Sequence, residues 1–188
     1  MIIHQLQASY VMEQDRILVR MNTRNAEELR LWLTRRMVRN LFPHLTEVTT
    51  EILARQVPDS HHDGATISAL EEFKKQESLQ RCDFSTPFNS QVTAWPVGDA
   101  PLLVSTVRLT PGEAGTLCLR FEENLPGAPQ NRSFSVTLDH ELLHGFLHLL
   151  ESALQHADWG IALVQGLSSK DSSTLDDFDH VKPPQYLN

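Results

Sequence analysis

Twice in this chain an alternating apolar run passes directly into a helical one. Residues 29–45, LRLWLTRRMVRNLFPHL, and residues 134–150, FSVTLDHELLHGFLHLL, share this pattern without a gap. Leu29, Leu31 and Leu33, like Phe134, Val136 and Leu138, recur every second residue, which puts each set on one face of a strand. A capping residue follows, Thr34 or Asp139. Met37, Val38, Leu41, Phe42 and Leu45, like Leu142, Leu143, Phe146, Leu147 and Leu150, then recur at the spacing of one helical face. A period that switches at the same place in both stretches predicts a strand running straight into a helix, twice, and hence an internal duplication.

The alternation continues upstream of each switch. Ile17, Val19 and Met21 correspond to Leu117, Leu119 and Phe121 as inward faces, with polar or Pro-Gly turns between the runs. The first copy therefore reads as strands at 3–12, 16–23 and 27–33 with a helix from 35 to 54, which Pro43 should kink or split. The second reads as strands at 102–109, 116–122 and 133–138 with a helix from 140 to 157. The predicted fold is α+β, an internally duplicated βββα-βββα of two antiparallel meanders, each followed by a helix and related by a pseudo-twofold axis. Its parts are residues 1–57 as the first half, 58–101 as a linker, 102–165 as the second half and 166–188 as a disordered acidic tail. Within the linker, Thr66 to Cys82 carries Ile67, Leu70, Phe73 and Leu79 at helical spacing and predicts a short amphipathic helix.

No stretch of eighteen uncharged apolar residues occurs, and the opening MIIHQLQASY has neither the basic nor the apolar region of a secretory signal, so the expectation is a cytoplasmic protein without membrane contact. Cys82 and Cys118 are too few for a disulfide framework and are read as free thiols. The net charge of −8 is uneven: residues 1–57 carry +2, all of it from arginine, while residues 58–188 carry −10. A general nucleic-acid binder is basic throughout, and only the first half leans that way.

His140-Glu141-Leu142-Leu143-His144 fits H-E-x-x-H, in which two histidines one helical turn apart hold zinc and the glutamate activates a bound water. Over about ten residues, TLDHELLHGF resembles the extended signature of the zincin metallopeptidases. That resemblance implies a zinc hydrolase with His140 and His144 as ligands and Glu141 as general base. The metzincin third histidine falls at Leu150 and no glutamate follows Glu151, which leaves His148, Glu151 or an aspartate of the tail as the remaining donor. Helix geometry gives a different expectation. His140, His144 and His148 lie opposite the apolar face, so they are read as solvent-facing, with no metal and no cofactor, while Asp139 and Glu141 serve as cap and first-turn charge.

The first half offers another surface. If Leu29, Leu31 and Leu33 point inward, then Glu28, Arg30 and Trp32 point outward, and Arg16, Leu18, Arg20, Asn22 and Arg24 do so on the neighbouring strand. Guanidinium groups beside an indole suit single-stranded nucleic acid, and the predicted architecture is similar to that of nucleic-acid-binding folds of the Whirly and PUR type. Alternatively the arginines pair with Glu13, Glu27 or Glu28, and Trp32 serves an interface. The reading preferred on sequence is a non-enzymatic binding or adaptor module, engaging a protein partner or a second copy through Arg16, Arg20, Arg24, Arg30 and Trp32. A zinc hydrolase and a single-strand nucleic-acid binder stand as alternatives, and the acidic tail is expected to fold back over the arginine surface.

Overall fold

The computed structural model describes residues 3–55, 64–127 and 131–161, and the acidic tail expected at 166–188 lies outside these. The protein is mixed α+β, with two sheets and three α-helices among the described residues. Its order is β1 (Ile3–Val11), β2 (Arg16–Thr23), β3 (Glu28–Thr34), α1 (Arg35–Ala54), α2 (Gly64–Arg81), β4 (Leu102–Leu103), β5 (Thr106–Pro111), β6 (Leu117–Glu123), β7 (Arg132–Leu138) and α3 (His140–Ala157).

Both predicted switches from strand to helix are present. β3 ends at Thr34, whose hydroxyl accepts from the Met37 amide at 3.2 Å; β7 ends before Asp139, whose carboxylate accepts from the Leu142 amide at 2.9 Å. Each cap satisfies a helix-start amide that has no partner inside the helix. α1 runs unbroken through Pro43. The proline removes one backbone hydrogen bond, but Leu41, Phe42 and Leu45 stay buried on either side of it, so packing holds the helix together.

One expected strand is divided. The run at 102–109 supplies β4, which pairs in parallel with β3, and then β5, which pairs antiparallel with β6. At the crossing the Val104 amide donates to Trp32 O and the Ser105 amide to Glu122 O, so the chain passes from one sheet to the other within two residues. The sheets are therefore β1-β2-β3-β4 and β5-β6-β7 rather than two equal meanders. Their inner faces and the apolar stripes of α1 and α3 form a single core that includes Ile17, Leu31, Leu45, Leu119, Phe121, Phe146 and Leu150. α1 packs on β3 and β5, and α3 on β1 and β7, so each helix touches both sheets. The linker helix appears as α2 and packs chiefly along α3, but Phe73 is 62% exposed instead of facing inward.

Candidate functional site

The outer face of the first sheet is built from cross-strand rows. Gln7, Arg20 and Arg30 form one row, and Ser9, Leu18 and Trp32 the next. Glu28 ends the row of Gln5 and Asn22 and is fully buried, although alternation alone places it on the outward face. Arg20 Nε donates to Glu28 Oε1 at 2.6 Å and Arg30 Nε to the same oxygen at 3.1 Å; Arg30 Nη2 reaches Oε2 at 3.1 Å. Burial opposes ionisation of Glu28, but the hydrogen bonds from Arg30 and Arg20 outweigh it, holding the carboxyl below the usual range. The expectation that these arginines pair with Glu28 is met.

What buries Glu28 is a strap of irregular chain, residues 83–101, laid across this face. Asp83 starts the strap: its carboxylate accepts from the hydroxyls and amides of Thr86 and Ser85, which sets the turn out of α2 and holds its own pKa well below the usual range. The Phe88 ring lies 4.4 Å from the Arg20 guanidinium carbon, and the Trp95 ring 5.6 Å from that of Arg30. Asn22 donates to Asn89 O, Arg30 to Asp99 O and Gln5 to Pro87 O, so the side chains of the sheet bind the backbone of the strap. Of the five residues expected to bind a partner, Arg20 and Arg30 are brought together on Glu28, and Trp32 is half-buried on the same sheet. Arg16 is half-buried at the far end of β2, and Arg24 is exposed beyond its other end.

The second sheet presents Arg108, Arg120 and Ser135 in the row corresponding to Gln7, Arg20 and Arg30. Arg108 and Arg120 both donate to Glu122, at 3.3 and 2.7 Å, and their side chains remain 68% and 50% exposed. Cys118 sits on the same face between Thr110 and Thr137. Among the described residues neither Arg108 nor Arg120 has an aromatic ring over it.

The histidines of α3 depart from the wheel-based expectation. His144 is buried, 3% exposed, because α2 covers the side of α3 that its sequence marks as polar. Its Nε2 lies 3.2 Å from Nε2 of His140, and Nδ1 of His140 lies 3.2 Å from the Ser78 hydroxyl of α2. Burial, the neighbouring His140 and Lys75 push the His144 pKa down to about 4; burial and Lys74 lower that of His140. His140 is half-buried, as is His148 against Phe84, so both keep part of the expected exposure and only His144 loses it. Among the described residues no three His, Cys, Asp or Glu side chains form a group that could hold a metal ion, and Lys74 and Lys75 add positive charge beside the pair.

Glu141 instead lines a groove of about 760 Å³ between β1, the start of the strap and α3. Cys82 borders it, with its thiol pKa raised by burial and by Glu141. Gly145 permits this close approach, since a Cβ there would stand 3.2 Å from Cys82 Sγ. Beyond α3, Trp159 donates through Nε1 to Asp15 at 2.7 Å, beside Tyr10, and accepts through its carbonyl from Arg35 at 2.6 Å, which ties the end of α3 to the β1–β2 hairpin. The strap was not foreseen from sequence; its only signal was the set of aromatic residues, Phe84, Phe88 and Trp95, in a segment otherwise rich in turn formers. No protein-family model, no curated protein and no solved structure matches the chain. No described helix is long and apolar enough to cross a membrane.

Proposed function

We propose that the protein is a non-enzymatic binding module that engages a protein partner, or a second copy of itself, through the Arg/Trp face of the first sheet together with the strap laid on it. The observation that carries this reading is Trp95, which rests on the Arg30 guanidinium beneath it and is still 40% exposed. A tryptophan held in place by an arginine loses little freedom when a partner covers it, and these two residue types dominate binding hot spots. Phe84, 48% exposed, lies on the same strap, and Arg24 is exposed at the edge of the sheet. The reading also takes the chain as a duplicated unit, supported by the matching caps at Thr34 and Asp139 and by helices that each pack on the sheet of the other half.

The test compares the full-length chain with the double variant Phe84→Ala and Trp95→Ala, by sedimentation velocity for self-association and by cross-linked capture of a partner from extract. Loss of dimer or partner, with the urea midpoint and circular dichroism unchanged, supports the proposal. Complexes of undiminished affinity in the double variant sink it. Glu141→Gln and chelation are expected to leave binding unchanged, whereas a zinc hydrolase would lose its activity to both.

A further inference from the structure

The two sheets place an arginine at the same point of their central strands, Arg20 and Arg120, and treat it differently. On the first sheet an extended segment of the chain supplies an aromatic ring to each of two guanidinium groups. On the second, Arg108 and Arg120 share the single carboxylate of Glu122, which leaves the group with one surplus positive charge and no ring over either plane among the described residues. A segment that complements it carries carboxylates beside an aromatic side chain, so that the ring stacks on a guanidinium while the acids neutralise it. Outside the described residues the sequence has only two residues of the Phe, Tyr or Trp type, Phe178 and Tyr186, and Phe178 is embedded in acids as Leu175-Asp176-Asp177-Phe178-Asp179.

We propose that residues 175–180 of this chain dock in cis on the outer face of the second sheet, with Phe178 over Arg120 or Arg108 and its flanking aspartates paired to them. The length of chain permits it. Phe178 is seventeen residues along the chain from Ile161, the last one described, with sixteen residues between them. They span about 55 Å fully extended and roughly 23 Å as a coil, against a molecule about 40 Å across. Tethering at this distance gives an effective concentration on the order of millimolar, so weak intrinsic affinity suffices for occupancy. The first sheet is not the target, because its arginines are already stacked and paired by the strap and Glu28.

Cys118 reports on this face and Cys82 serves as the internal control. Alkylation of each thiol by iodoacetamide is followed by peptide mass spectrometry in the full-length chain, in Phe178→Ala and in the triple variant Asp176→Asn, Asp177→Asn, Asp179→Asn. The expected result is a rise in the Cys118 rate of about threefold or more in both variants, reproduced in the parent by high salt, with Cys82 unchanged. Equal Cys118 rates in all three chains overturn the proposal. A change at Cys82, whose thiol borders the groove by α3, also overturns it, because the tail would then lie on another surface. Protection that grows with protein concentration instead assigns the contact to a second copy and overturns docking in cis.

Discussion

On the first sheet the row Gln7, Arg20, Arg30 lies beneath the strap and shares a carboxylate that water does not reach; on the second, the row Arg108, Arg120, Ser135 shares Glu122 at the surface. Both are two arginines on one glutamate, with donor–acceptor distances from 2.6 to 3.3 Å. Geometry is nearly the same and energetic weight is not. A buried charge is costly to strip of its partners, while an exposed pair contributes little after screening and side-chain entropy. The difference teaches that arginines on a sheet face are left free only where no other segment has used them; on the first sheet it is Trp95 and Phe84 of the strap, not the arginines beneath, that stay exposed.

The largest effect should come from breaking that asymmetry. Removing one arginine of the first cluster leaves Glu28 partly unpaired in a dry site, so Arg20→Ala should cost about 2–4 kcal/mol of folding stability. Arg120→Ala on the second sheet should leave the urea midpoint unmoved. Equal losses in the two variants would mean that the strap does not shield the first cluster.

A smaller effect separates the two helices. Counted from the caps Thr34 and Asp139, the residues of α1 at the places of His140, Glu141 and His144 are Arg35, Arg36 and Arg39, all exposed, whereas α2 buries His144. The folded-state pKa of His144 lies at about 4, below its ordinary value of 6.5, so the unfolded chain binds the extra proton more readily between those values. Stability from this group is complete above pH 6.5 and falls as the pH drops towards 4, by up to about 3 kcal/mol. Urea titrations over that range should show a slope that flattens in His144→Gln. An unchanged slope in the variant would assign the acid sensitivity to other groups.

The smallest effect concerns what the two strand-to-helix junctions have in common. Thr34→Ala and Asp139→Ala should each cost about 1 kcal/mol, since both remove one side-chain acceptor from a helix start. A wide disparity between them would break the equivalence of the two strand-to-helix junctions.

Much of the architecture was legible from local pattern. The inward faces of β2, β3, β6 and β7, the two caps and the beginnings of α1 and α3 all follow from residues within a few positions of each other, where period and hydrogen-bonding capacity leave little choice. The path of residues 102–111 did not, because Leu102 and Leu103 suit either sheet and only the contact with β3 selects one. His144 was misjudged for a related reason. A helical wheel ranks the faces of one helix by polarity, but it contains no information about a second helix arriving from the linker to cover the polar side.

The sequence by itself determined where strands turn into helices and which side chains the sheets turn inward, since both depend on the chain's own periodicity. Tertiary structure alone decided that the first arginine face is roofed, that Glu28 is dry and that two imidazoles meet beneath α2. Those outcomes depend on which distant segment wins a given surface, a competition between contacts far apart in the chain that no local spacing records.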